Sequence, residues 1–151
     1  MTTEVTRALL EEEAPGLLAW ARRKGWGFHI DYEKLFLVAW FPHPVDRGLL
    51  VLEVDVTDYK ALPPVWRFLD IGSGKETKHA FPKGHDSLLN GSKLICAHWS
   101  RLAYSDLGGP HANWNGPSKW LDVREGTLAL SLGEMFAVLH GRVQLSPGRL
   151  E

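Results

Sequence analysis

Residues 26–56, WGFHIDYEKLFLVAWFPHPVDRGLLVLEVDV, contain three strand-like runs separated by short links. Trp26 to Tyr32 alternates aromatic and polar residues, and Leu35 to Phe41 is nearly all apolar. Leu49 to Val56 sets Leu50, Leu52, Val54 and Val56 against Val51, Glu53 and Asp55. Period-two alternation marks a strand with one buried face. The links, Glu33-Lys34 and then Pro42 to Gly48, are too short for a crossover helix, so consecutive runs must pair antiparallel. A fourth run, Val65 to Leu69, follows Tyr59 to Pro64 and completes a four-stranded meander.

On the N-terminal side, Thr3 to Lys24 reads as a helix. Glu11 to Glu13 lie early, Arg22, Arg23 and Lys24 lie late, and Gly25 can cap, an order that suits the helix dipole. Pro15 leaves open a second, shorter helix that starts at the proline, where its missing N–H costs nothing. On the C-terminal side, periodicity dissolves from Asp70 to Lys93 into Gly, Ser, Lys and His, a stretch too long for an ordinary connector and so expected to be mobile or functional. A second polar stretch, Ser105 to Ser118, holds Gly108-Gly109-Pro110 and Asn113 to Pro117, which block regular structure. Thr127 to Leu139 then places Leu128, Leu132, Met135, Phe136 and Leu139 at helical spacing, with Gly141 as the expected stop. The order is helix, four-stranded antiparallel meander, a loop carrying the cysteine, and C-terminal helix: an α+β fold.

At 151 residues the expectation is one domain, residues 1–151, and 44% hydrophobic residues with seven Trp supply a sizeable core. Lys plus Arg number 17 against 18 Asp plus Glu, a formal charge of −1, which argues against a nucleic-acid partner. The polar, acidic start at Met1 to Glu13 does not read as a signal peptide, and no apolar run reaches the roughly 18–20 residues of a membrane span. A lone cysteine fits a reducing compartment, so the expected localisation is cytoplasmic, without a membrane partner.

That cysteine, Cys96, follows a short apolar run and sits beside His98 and Arg101, neighbours that favour thiolate where they face it. As an isolated thiol it also reads as a small core hydrophobe. Two further arrangements are open to the histidines. Cys96, His98, His85 and His111 form a Cys/His set for zinc, although no compact ligand pair is present. Cys96 with His111 and Asn113 or Asp106 forms a cysteine-hydrolase set, without the local signatures of such enzymes. Trp66, Trp99, Trp114 and Trp120 read as core or loop-anchoring residues. Gly72-Ser73-Gly74-Lys75 lacks the upstream Gly and the following helix of a phosphate loop.

The stretch Tyr59-Lys60-Ala61-Leu62-Pro63-Pro64-Val65-Trp66-Arg67-Phe68 resembles the Tyr-Pro-x-x-Pro-Pro-x-x-x-Phe segment of ubiquitin-conjugating (UBC-like) enzymes in its Tyr, both later prolines and Phe. Asn90-Gly91-Ser92-Lys93-Leu94-Ile95-Cys96 is similar to that family's Gly-x-Ile-Cys approach to the thioester cysteine, with extra residues between Gly and Ile. Tyr104-Ser105 stands where the family has Trp-Ser. The element order agrees as well. The resemblance implies a UBC-like fold and a thioester carrier. Cys96 would accept a ubiquitin-like protein from an activating enzyme and pass it to an amine of a target protein, with no cofactor and with the N-terminal helix docking the activating enzyme. A catalytically silent UBC-like binding module, with Cys96 structural, is the alternative; exposure of the thiol discriminates them.

The departures are as informative. Where the family has His-Pro-Asn, this chain reads His85-Asp86-Ser87-Leu88, and residues 70–83 look like an insertion. Cys96-Ala97-His98-Trp99 resembles the bacterial relatives found in ubiquitin-like conjugation and phage-defence operons. With the motif Asn missing, His111 and His98 are the expected catalytic helpers, and His85 a support for the loop.

Overall fold

In the computed structural model the described residues are 2–84, 86, 88–89, 91, 93–111, 113–122 and 131–151. The N-terminal helix α1 (Thr3–Lys24) opens on Thr2, whose hydroxyl accepts from Val5 N–H at 3.2 Å, and closes on Gly25 at φ +73°. It runs unbroken through Pro15, so no second helix begins there. An interior proline costs about 3 kcal/mol, and burial of Leu10, Ala14, Leu17, Trp20 and Ala21 along one stripe offsets it.

Four strands follow in a meander, β1 (Gly27–Asp31), β2 (Phe36–Pro42), β3 (Leu49–Asp55) and β4 (Val65–Leu69), each antiparallel to the next. The expected runs stand, with ends shifted by one residue at most for all but β4, which agrees at both ends. The register aligns Ala39, Leu52 and Phe68 in one row and Leu37, Val54 and Trp66 in another. These six, with Phe41 and Leu50, form the buried face. The opposite face carries Trp40, 40% exposed, whose indole lies over Gly27 in the paired strand. A Cβ at Gly27 would come within 2.0 Å of that ring, so only glycine fits beneath it.

The C-terminal helix α2 (Leu132–Val143) packs on the same buried face. Phe136 meets Trp66 and Phe28 at 5.1 Å each, and Trp20 of α1 at 6.2 Å. Ser131 caps it, accepting from Glu134 N–H at 3.2 Å and donating to Glu134 Oε1 at 3.0 Å. The expected helix over residues 127–139 therefore needs correction. Its first residues, 127–130, lie outside the described residues; it starts at Leu132, and it continues past Gly141 because the fully buried Val143 anchors a further turn. The carboxylate of Glu13 joins α1 to this end of α2. It accepts from Leu132 N–H at 2.7 Å and from Tyr59 Oη at 2.8 Å, and burial together with this carboxylate pushes the phenol far above its ordinary range.

The polar stretch after β4 is less formless than its composition suggests. It contains a 3-10 turn (Lys78–Ala80) and a short strand β5 (Pro82–Lys83), which pairs with β6 (Gly148–Arg149) near the C-terminus. Phe81 is buried against Phe68 at 5.0 Å. Around β6 a polar clasp forms. His43, wholly buried, donates from Nε2 to Gly148 O at 2.8 Å and accepts Val45 N–H on Nδ1 at 3.1 Å. Arg149 makes a two-pronged contact with Asp46, Nε to Oδ2 at 2.7 Å and Nη2 to Oδ1 at 3.2 Å.

These Arg149 contacts, then the Gly48 N–H, hold the Asp46 carboxyl far below its ordinary value of 3.8. A depressed carboxylate stabilises the fold above its unfolded pKa and stops doing so as pH falls through the folded one. The clasp is thus complete across the neutral range and released only in strong acid. Asp46→Asn should leave the unfolding midpoint nearly unchanged but speed amide exchange at Leu150, whose N–H donates to Phe81 O at 3.1 Å. Unaltered exchange at Leu150 would show that the clasp holds without this ion pair.

Among the described residues, no helix is long and apolar enough to cross a membrane.

Candidate active site

The two stretches that carry the sequence resemblance meet in space. Trp66 of β4 donates from its indole to Trp99 O at 3.0 Å, with the two rings edge to face at 5.2 Å. Arg101 donates from its backbone to Pro64 O at 3.0 Å and from Nε to Pro63 O at 2.8 Å, and its Nη2 reaches Thr57 O. Planar guanidinium donors aimed at successive carbonyls make a rigid tie. The segment bearing Cys96 is thereby locked to the entry of β4.

Cys96 itself follows Ile95, which is fully buried and bridges Leu89, and donates its N–H to Leu88 O at 2.9 Å. The residue is 8% exposed. Burial pushes its thiol above the ordinary value of 9.0, so the sulfur is protonated near neutral pH. Its Sγ lies in hydrogen-bonding contact with Nε2 of His111. A protonated thiol in this contact can donate its S–H to the imidazole nitrogen, an arrangement from which a base can remove a nucleophile's proton.

A closed loop delivers His111 from 15 residues away. Tyr104 bridges His111, and Gly109 N–H donates to Tyr104 O at 2.9 Å. At Gly109 the chain returns so near Ala103 that a Cβ would stand 2.3 Å from that carbonyl, so glycine is required. Trp114 N–H donates to His111 O at 3.0 Å, closing a turn, and Ser105 gives both its N–H (2.7 Å) and its hydroxyl (2.9 Å) to Trp114 O. The 3-10 turn Ser105–Leu107 and the longer one at Pro117–Asp122 flank this loop, where composition suggests no regular structure.

The indole of Trp114 stacks on His111 (centroids 3.7 Å, 12° between planes) and on His98 (3.8 Å, 25°). Two imidazoles cannot share one indole face at those distances, so Trp114 is sandwiched between them. His98 is swung to the far side because Ala97–Ser100 is a turn, closed by Ser100 N–H on Ala97 O at 3.0 Å, where an extended segment would aim it along Cys96. Tyr104 Oη donates to His98 O at 2.9 Å, and its phenol is pushed up to about 12 by burial.

Of the expected site residues the structure brings Cys96 and His111 into contact and sets His98 behind Trp114; His85 lies outside the described residues. Asp106, a candidate third member of a hydrolase set, instead accepts Gly116 N–H at 3.1 Å, and Asn113 is exposed. No described group of three His, Cys, Asp or Glu side chains is placed to hold a metal ion, the indole standing between the two imidazoles. Trp66, Trp99 and Trp120 are buried as expected. Trp114 is the residue whose place at the site was missed; its only sequence signal is the His-x-x-Trp spacing inside a Gly- and Pro-bounded loop.

No family model, curated protein or solved structure matches the chain.

Proposed function

We propose that this chain is a ubiquitin-conjugating-like carrier, with Cys96 as the thioester cysteine and His111 as its general base. The observation that carries the reading is the Cys96–His111 contact, on an α+β scaffold whose element order is that of the resembled family. In loading, the Cys96 sulfur attacks the C-terminal carbonyl of a ubiquitin-like protein held as a thioester on its activating enzyme. A new C–S bond forms, the old one breaks, and the thiol proton passes by way of His111 to the departing sulfur. In discharge, a target amine attacks that carbonyl, a C–N bond replaces C–S, and the amine's proton ends on the Cys96 sulfur, again by way of His111. Exposed Arg22, Arg23 and Lys24 on α1 offer the activating enzyme a basic face. The bacterial phage-defence setting rests on the divergence from the family's pattern and on the sequence Cys96-Ala97-His98-Trp99.

One observation favours a silent UBC-like binding module instead, namely that Cys96 is 8% exposed. The test is incubation with ATP, a cognate activating enzyme and its ubiquitin-like protein. The carrier gives a reductant-labile adduct that Cys96→Ala does not form. An adduct that persists in Cys96→Ala, or none with the parent chain, leaves the binding module.

A further inference from the structure

Acyl-transfer dyads orient their histidine through a hydrogen bond from its second ring nitrogen to a carboxylate or amide. Among the described residues the candidates weighed for that part are Asp106, which accepts Gly116 N–H, and Asn113, which is exposed. What His111 meets over its whole face is an aromatic plane, 3.7 Å away and 12° from parallel.

We propose that Trp114 is the positioning residue of this site, and that its stacked indole takes the part of a hydrogen-bonded third member by holding the His111 imidazole with Nε2 on Cys96 Sγ. The proposal deepens the carrier reading and rests on it for its biological meaning. Three features support the assignment. His111 and Trp114 stand at the two ends of one turn, closed by Trp114 N–H on His111 O, so the rings move together. Both donors of Ser105 fasten that turn through Trp114 O. His98 stacks on the far indole face, which stops the indole from tilting away. A stacked plane restrains tilt and translation of the imidazole, and it adds no charge to the site and does not hold the proton needed in transfer. Among the described residues, the titratable groups near the pair are His98 across the indole, Tyr104, whose hydroxyl donates to His98 O, and Asp106 in the adjoining turn.

The experiment is alkylation of Cys96, the sole thiol, by iodoacetamide between about pH 6 and pH 10, for the parent chain and for His111→Gln, Trp114→Ala, Trp114→Leu and Trp114→Phe. Without an oriented base, a buried thiol reacts only as hydroxide ionises it. His111→Gln should therefore lose a near-neutral limb of the profile, falling at least about tenfold near pH 7 while matching the parent near pH 10. Trp114→Ala should lose the same limb. Trp114→Leu should lose it too, since it fills the space without a flat face, and it decides the matter if the alanine chain does not fold. Trp114→Phe should retain it. Parental profiles for the alanine and leucine chains overturn the proposal, as does a rise by one factor at every pH, which means that Trp114 only covers the thiol. A parent without the near-neutral limb overturns it as well. A parent with that limb that loads no ubiquitin-like protein removes the carrier reading and leaves the positioning role standing.

Discussion

If the chain is the carrier proposed above, His111→Gln should discharge its thioester to free lysine about 10²–10⁴-fold more slowly than the parent chain in a single-turnover assay, the loss typical of a positioned general base. Glutamine keeps the size and polarity of the side chain but cannot carry a proton. The effect is expected to be large because the attacking amine must lose a proton and the departing sulfur, whose thiol is held by burial above 9.0, must gain one. Both transfers must be local, and His111 Nε2 is the group in contact with Sγ. His98→Gln should cost far less, since its ring is separated from His111 by the thickness of an indole. Discharge of His111→Gln at the parental rate would remove His111 from the mechanism and return Cys96 to an unassisted thiol.

Phe68→Ala should lower stability by about 3–5 kcal/mol, read from the midpoint of chemical denaturation. Phe68 is 1% exposed, the last but one residue of β4, pairs across the sheet with Leu52, and meets Phe81 edge to face at 5.0 Å and Phe41 at 6.5 Å. Leu52 is held by strand pairing on both sides, to Ala39 and to Phe68 itself, so the vacated space cannot collapse fully, and the cavity adds to the lost burial. Such a loss is a large part of the roughly 5–15 kcal/mol that domains of this size possess. It should also travel. Phe81 accepts Leu150 N–H, so loosening Phe81 loosens the C-terminal strand β6, and amide protection at Leu150 should fall with the midpoint. A midpoint unchanged by the substitution would contradict the inward placement of β4.

Sequence by itself determined the meander, because alternation over Leu49 to Val56 and the short link at Glu33-Lys34 leave antiparallel pairing as the sole arrangement that buries one face. It determined the first helix and its glycine stop by local capping chemistry, and it marked Cys96 as the only thiol. Elsewhere local signals were overridden or absent. Pro15 argues for a break, yet the burial of the apolar stripe on either side of it continues the helix. Gly141 argues for a stop, yet Val143 carries α2 beyond it. The strands β5 and β6 are two residues each, too short to show any period, and only the closure of Asp46, Arg149 and His43 across the fold defines them. The site belongs to this second kind. Alternation would set His98 beside Cys96, but the turn at Ala97–Ser100 carries it to the far side of Trp114. His111 reaches the sulfur only because Gly109 lets the chain double back against Ala103. A periodic pattern records which face of an element is buried; which side chain meets which across a closed loop depends on backbone turns and close approaches that leave no period in the sequence.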